Sequence, residues 1–357
     1  MSHILFIVPK FPPPVVGGLE KQAYLLSLSL IKQGYNVDVL TRFNDGPVSG
    51  FDSPKIHKIP SFFQKVRLME IVYVFFFFLI NFRRYKVVHI HQHSWFGTYI
   101  AFIAFLFRLK VLIKLPNIGN HGILATKGPL KKLILNNATA FIAMNTIQKF
   151  ELEKFGFKGK VFSIPNGIIP EIRGFEELRR TTDTLNLKFI SIGRLVEQKG
   201  LHFLLDCWDK FKFNHSLSLD IWGDGPLKES LHKRIINSHF HNVRLMGYTP
   251  DPISTMLDYD IYINSSEVEG MSNAILEAMV CGQLVIASNV GGASEQLADT
   301  NFIFEFGNVD DLQELIQYVL DNPRLIKNVG DRNRKRILDT FQIDQIASQY
   351  ITAYESL

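Results

Sequence analysis

The stretch "FISIGRLVEQKGLHFLLDCW" (residues 189–208) reads as strand, loop and helix in immediate succession. Phe189–Ile192 is a short apolar run, and "GRLVEQKG" (193–200) is a loop bracketed by two glycines. From Leu201 to Lys212 the apolar residues recur at helical spacing. Repeated along a chain, such a unit builds a parallel sheet with helices on both faces, which explains strands that are near-continuously apolar. The unit does repeat. Further strands are expected at Ile4–Val8, Val37–Leu40, Val87–Ile90, Val111–Leu115, Phe141–Ala143 and Val161–Ile164 in the first half. In the second half they are expected at Leu217–Trp222, Val243–Met246, Ile261–Asn264, Leu284–Ala287 and Phe302–Phe304. Helical patterns lie between them, among them Leu19–Lys32 and Asp310–Leu320.

A chain of 357 residues is too long for one ordinary core, so two domains are expected. The segment "EIRGFEELRRTTDTLN" (171–186) is polar, mixed in charge and without a strand pattern. The expected organisation is an α/β protein of two doubly wound domains facing across a cleft. Residues 1–168 form the first, 169–186 the linker and 187–340 the second, and 341–357 is a terminal helix packing back toward the first. Both domains open with strand, loop and helix, the first through "PKFPPPVVGGLEK" (9–21). Ligands of open α/β sheets bind beyond the carboxyl ends of the strands, so both loops are candidates for a site.

Composition narrows the classes. Hydrophobic residues make up 46% and charged residues 20%, as in globular proteins. Cys207 and Cys281 have neither CxxC spacing nor histidine partners, and read as buried thiols of a reducing compartment. The N-terminus lacks a basic leader, so no signal peptide is expected. Gly17-Gly18 does not have GxGxxG spacing and no P-loop GK[ST] occurs, which argues against a nicotinamide dehydrogenase or an NTPase. Residues 1–165 hold 21 Lys and Arg against 7 Asp and Glu, a net +14; residues 166–357 hold 18 against 27, a net −9. The basic half is expected to face something anionic.

Two stretches carry chemistry. Arg194 and Lys199 lie on one strand-to-helix loop, a pair of cations suited to a diphosphate. In "EVEGMSNAILE" (267–277), Ser272 reads as the N-cap of a helix through about Val280, and Asn273 and Glu277 share a face. Glu277 points back toward the open N–H groups and suits a vicinal diol such as a ribose. Glu269, ahead of the helix, would face the hydroxyls of a group hanging from the far phosphate. The plainer alternative makes Glu269 a surface loop residue and Glu277 the partner of a lysine.

The order "GGLE" (17–20), "IPNG" (164–167), "SIGRLVEQKG" (191–200), "IWGDGP" (221–226), "MGYTPD" (246–251), "NSSEVEGMSNAILEAMVCG" (264–282) and "ASNVGGASEQL" (287–297) resembles the retaining glycosyltransferases of family four. That resemblance implies the GT-B fold of two Rossmann-like domains and a nucleotide-diphospho-sugar as donor substrate; because Arg194 and Lys199 supply cations for the diphosphate, no metal and no cofactor is expected. It implies that Arg194 and Lys199 bind the donor diphosphate, that Glu277 takes the ribose hydroxyls, and that Glu269 lies near the transferred sugar and its anomeric centre. Gly270, Met271, Ser272 and Asn273 correspond to the segment whose backbone meets sugar and phosphate. Gly17 and Gly18 correspond to the glycine loop of the first domain, and Gly223 and Tyr248 to loops lining the nucleotide. The sequence departs from the pattern at "LIKLPNIGN" (112–120), which lacks the histidine many members carry, and after "IPNG", where Ile-Ile-Pro follows. His91 and His93, near a strand end, are candidates for an acceptor or sugar contact.

Asp258-Tyr-Asp260 spells the DxD of metal-dependent enzymes on another fold, but it precedes a buried strand and is read as structural. "EIVYVFFFFLINF" (70–82) is too short for the roughly 20 residues of a membrane span. Flanked by Lys65, Arg67, Arg83, Arg84 and Lys86, it is expected either to lie in a bilayer interface or to be a buried helix. The expected protein is therefore a cytoplasmic enzyme peripherally associated with the inner face of an anionic membrane, with no nucleic-acid partner. It would move a sugar to a saccharide acceptor, lipid-linked, in surface polysaccharide biosynthesis. The alternatives are a sugar-nucleotide epimerase of the same fold and a non-catalytic nucleotide-sugar-binding module.

Overall fold

The structure is a computed structural model that describes residues 3–12, 17–44, 46, 53–92, 94–172, 175, 186–212 and 214–357. The chain divides into two compact units, Met1–Gly167 with Ile343–Leu357, and Ile168–Gln342. Most of the expected linker, at 173–174 and 176–185, lies outside the described residues.

The first unit holds β1 (His3–Ile7), β2 (Asn36–Thr41), β3 (Lys55–Lys58), β4 (Tyr85–Ile90), β5 (Lys110–Lys114), β6 (Ala140–Ala143) and β7 (Lys160–Ser163). They form one parallel sheet in the order β3-β2-β1-β4-β5-β6-β7. Its helices are α1 (Gly18–Lys32), α2 (Ser61–Gln64), α3 (Arg67–Asn81), α4 (Trp95–Leu106), α5 (Gly128–Asn137) and α6 (Thr146–Phe155). Alternate residues of each strand enter different cores. Leu5, Ile7, Val88 and Ile90 pack with residues of α3 and α4, whereas Ile4, Phe6, Val8 and Val87 pack on the other face with α1 and the C-terminal helix. With both faces covered, most positions along these strands are apolar, and a polar residue that does occur is paired inside, as Asp38 of β2 is with His57 and Tyr85. The two edge strands β7 and β3 have residues that are exposed or half-buried, and β3 is the more polar of them, "KIHK". Having little apolar surface to bury, it leaves no apolar run in the sequence.

The second unit holds β8 (Leu187–Ile192), β9 (Leu217–Trp222), β10 (Val243–Gly247), β11 (Ile261–Asn264), β12 (Leu284–Ser288) and β13 (Ile303–Phe304), parallel in the order β10-β9-β8-β11-β12-β13. Its helices are α7 (Leu201–Trp208), α8 (Lys228–Asn237), α9 (Pro252–Met256), α10 (Asn273–Val280), α11 (Ala293–Gln296), α12 (Val309–Asp321) and α13 (Arg324–Arg336). The chain winds outward from β8 to β10, then returns to add β11 on the other side of β8. Strand order therefore reverses between β8 and β11, which opens a crevice at their carboxyl ends.

The chain ends in α14 (Ile343–Glu355), which belongs to the first unit and packs on α1. Asp344 accepts hydrogen bonds from Ser29 and Lys32, both at 2.6 Å, and the lysine beside it lowers its pKa. Tyr354 bonds the His89 ring at 2.7 Å. The "IPNG" motif acquires a structural reason here. The buried Lys114 ammonium donates to Asn166 Oδ1 at 2.8 Å, and the Gln22 amide holds both the N–H and the carbonyl of Gly167. Burial lowers the Lys114 pKa to about 7. Ile346, 1% exposed, inserts into the core shared with α1. Ile346→Ala should cost about 2–5 kcal/mol and lower the melting temperature of the first unit by about 5–15 °C, as read by calorimetry. An unchanged melting temperature would mean that α14 adds nothing to that unit.

Candidate active site

Two loops separated by some seventy residues in sequence meet at the reversal of strand order in the second unit. One is 193–200, leaving β8; the other is 265–272, leaving β11 and entering α10. Backbone bonds join them, with Glu267 N–H donating to the Gln198 carbonyl at 2.9 Å. Ser265 Oγ donates to the Lys199 carbonyl, also at 2.9 Å. Gly200 makes this approach feasible. Its φ is +59°, and a Cβ there would stand 2.1 Å from the Ser265 carbonyl oxygen.

Above this seam Lys199 Nζ binds both oxygens of Glu269, at 2.8 and 3.1 Å. Sequence alone assigns the two residues separate tasks, and the structure joins them in one ion pair. Their side chains are 24% and 19% exposed, so the pair is accessible without being fully solvated. Arg194 is exposed, with no ion-pair partner among the described residues. A small cleft at the carboxyl end of β8 is lined by Gly193, Arg194, Lys199, Trp222, Tyr262 and Asn264.

Glu269 leads through Gly270, Met271 and Ser272 into α10, where Glu277 is 7% exposed one turn in. Tyr262 lies beneath this segment in β11. Burial raises its phenol pKa well above the ordinary range, and the negative charges of Glu269 and Glu277 push the same way. Both acids thus act on one buried side chain.

Ser272 occupies the N-cap position of α10, but its hydroxyl makes no cap hydrogen bond. This corrects the expectation of a side-chain cap. Gln296, fully buried on α11, supplies the restraint instead. Its Oε1 accepts from Ser272 N–H at 3.2 Å and its Nε2 donates to the Ser272 carbonyl at 2.8 Å. The segment is thereby fixed where the positive end of the α10 dipole meets the two loops, an arrangement that favours an anion. Gly291, with φ +56°, completes the packing, since a Cβ there would stand 2.1 Å from the Glu269 carbonyl oxygen. Gln296 and Gly291 lie in "ASNVGGASEQL", but nothing in the spacing of that motif reveals a bond back to Ser272.

The remaining predicted residues fall as follows. Gly223 N–H donates to the Gly247 carbonyl at 2.7 Å, and Tyr248 next in the chain is 68% exposed. Gly17 and Gly18 belong to the first unit, where Gly17 precedes α1 and its carbonyl accepts from Lys21 N–H. His93 lies outside the described residues. His91 is 2% exposed and stacks on His89 with ring centroids 4.0 Å apart. Burial pushes its pKa well below the ordinary imidazole value, and the neighbouring His89 and Lys114 act in the same direction. Asp258 and Asp260 stand at the amino end of β11, opposite the two loops. The Asp260 carboxylate accepts from Lys188 N–H at 2.9 Å, which clips β8 to β11.

This architecture has counterparts. Anabaena HepE, crystallised with UDP and glucose, superposes with a TM-score of 0.79 at 19% identity over 99% of both chains. TarM superposes with a TM-score of 0.81 at 13% identity, again over 99% of both. The fold is that of the GT-B glycosyltransferases, two Rossmann-like α/β domains. Residues 177–336 match the family described as glycosyl transferases group 1, and residues 16–172 match glycosyltransferase family 4. The chain belongs to these group 1 glycosyltransferases. Among curated relatives, it is 26% identical over 355 residues to a phosphatidylinositol N-acetylglucosaminyltransferase component of Arabidopsis thaliana, covering 95% of this chain and 79% of that one. It is 22% identical over 281 residues to the poly(ribitol-phosphate) alpha-N-acetylglucosaminyltransferase of Staphylococcus aureus, covering 77% of this chain and 51% of that one. The chain thus spans about half the length of the staphylococcal relative.

The ion pair is open to a test that requires no assay of function. Lys199→Ala, Glu269→Ala and the double variant should give a coupling free energy of about 0.5–1 kcal/mol in denaturant unfolding of the second unit. Strict additivity would mean that the two side chains do not interact in solution.

Proposed function

We propose that this protein transfers a sugar, with retention of anomeric configuration, from a nucleotide-diphospho-sugar to a saccharide acceptor. The observation that carries the reading is the convergence of Arg194, the Lys199–Glu269 pair and the N-terminus of α10 where strand order reverses. Three sources of positive potential meet one accessible carboxylate, a combination suited to a diphosphate bearing a polyhydroxylated group.

The reaction follows from those charges. The bond between the anomeric carbon and the phosphate oxygen breaks, and its electron pair leaves with the diphosphate. Arg194, Lys199 and the α10 N–H groups then meet charge that grows toward the transition state. Lys199 must leave Glu269 to do so, which frees the carboxylate to orient the sugar hydroxyls. The acceptor oxygen attacks from the side the diphosphate is leaving, and the acceptor proton passes to a phosphate oxygen, so no separate base is required. Glu277 holds the ribose hydroxyls, Gly223 and Tyr248 line the nucleotide, and the backbone of 270–273 meets sugar and phosphate. Gly17 and Gly18 are assigned to donor binding, and His93 is the candidate contact to sugar or acceptor. The protein's own cations neutralise the diphosphate, so neither a metal ion nor another cofactor is needed.

We further propose that the acceptor is a lipid-linked saccharide of a surface polysaccharide or glycolipid, used in the cytoplasm at the inner face of a membrane. Support comes from the activities for which the relatives are named, which involve poly(ribitol-phosphate) in one case and phosphatidylinositol in another. UDP and glucose bound to HepE support a nucleotide-sugar donor.

Two outcomes are expected. Glu277→Ala should weaken nucleoside diphosphate binding in calorimetry, whereas Glu269→Ala should retain that binding and lose turnover of the full donor by about 10²–10³-fold. Equal losses of nucleotide affinity would remove the distinction between the acids. Transfer should also survive excess chelator; complete loss restored by magnesium or manganese would overturn the metal-free mechanism. Product analysis separates the rival chemistries, because an epimerase converts the donor without acceptor and a binding module converts nothing.

A further inference from the structure

We propose that the exposed apolar face of α3 and α4, with the cations at its margins, is the surface by which this protein lies on an anionic lipid bilayer. The inference rests on the reading of the acceptor as lipid-linked and deepens it by naming the surface that would hold the enzyme there.

From sequence this segment is either interfacial or buried, and α3 is both. Glu70, Val74, Phe77 and Phe78 form one stripe at helical spacing and are buried in the first unit. Leu68, Val72, Phe75, Phe76, Leu79 and Ile80 form a second stripe at the same spacing and are exposed, Ile80 at 79%. A helix packed on a sheet normally turns polar residues outward, and the outer stripe of α3 contains none. The neighbouring helix extends the face. Arg67, at the start of α3, stands 5.6 Å from the Trp95 ring at the start of α4, and Phe75 lies 5.5 Å from Phe107 just beyond its end. The two helices therefore run side by side in the same direction. Trp95, Phe102, Phe105 and Leu106 of α4 are also exposed. Monomeric proteins rarely leave a contiguous apolar surface of this kind uncovered. No helix of the described residues is long and apolar enough to cross a membrane, so the face suits helices lying in the interface plane.

Charge decides the occupant. Between Asp52 and Glu151 the chain carries 14 Lys and Arg and a single acid, Glu70. That carboxylate is 3% exposed and pairs with Arg42 at 2.9 Å. The segment thus presents no accessible negative charge, while Lys65 and Arg67 lie at one end of α3 and Arg83, Arg84 and Lys86 follow the other. A second copy of this chain would bring two basic margins together, which opposes self-association. Anionic headgroups would meet both the cations and, beneath them, the aromatic and aliphatic side chains.

The test uses the full chain in flotation with vesicles of phosphatidylcholine, with and without phosphatidylglycerol. Binding is expected only with the anionic lipid and should weaken as salt rises. Leu79→Ser with Ile80→Ser, and separately Lys65→Glu with Arg83→Glu and Lys86→Glu, should lower partitioning by about 10²-fold. Both variants should keep their thermal stabilisation by a nucleoside diphosphate, which separates loss of the surface from loss of the fold. Vesicle binding in a protein that turns over no sugar nucleotide would sustain the surface while removing the transferase reading. Equal binding to both lipids, no binding to either, or a dimer in sedimentation that the serine variants dissolve would overturn the proposal.

Discussion

The ion pair between Lys199 and Glu269 depends on the reversal of strand order beside β8. Only because β11 returns to the far side of β8 do residues 193–200 and 265–272 become neighbours. The Ser265 and Glu267 bonds then fix their spacing closely enough for a lysine on one loop to chelate a carboxylate on the other. An exchange of partners is therefore possible within a single rigid sheet. A cation already desolvated in part, and already neutralised, need not be stripped of bulk water when a diphosphate arrives. Under the proposed mechanism it passes from one anion to another, and the released carboxylate is left facing the incoming group.

The surroundings show how an accessible site is kept from collapsing. Gln296 pins the backbone of Ser272 in both directions, so the entry to α10 holds its shape without the side-chain cap that would cover its N–H groups. Gly291 and Gly200 remove the Cβ atoms that would push the two loops apart. Tyr262, buried under both acids, stays a neutral phenol and provides an uncharged floor. Rigidity at the seam comes from Gln296, Gly291 and Gly200 and not from the Lys199–Glu269 pair itself.

Much of this is legible in the sequence because a parallel sheet buried on both faces leaves a simple trace, a run of four to six apolar residues. The strand β3 escapes such a reading because "KIHK" is an edge strand with little to bury. The segment Glu70–Phe82 is ambiguous for a physical reason as well, since α3 is apolar on both its stripes and its sequence cannot say which one the core takes. Arg194, Lys199 and Glu269 are recognisable by charge on loops expected at strand ends, and Glu277 by its place one turn into the helix that follows. Their pairing is not, because which loop adjoins which is decided by strand order and not by distance along the chain. Ser272 is correctly read as the N-cap residue, but local propensity does not reveal that its hydroxyl makes no cap bond and that Gln296 holds its backbone.

The central claim, that Lys199 exchanges Glu269 for the donor diphosphate, is tested most directly by a crystal structure of the protein with a nucleoside diphosphate bound. The account predicts Lys199 Nζ within hydrogen-bond distance of a phosphate oxygen, and Glu269 released and turned toward the position of the transferred sugar. A Lys199–Glu269 pair still closed at its 2.8 Å separation, with the diphosphate seated elsewhere, would contradict it.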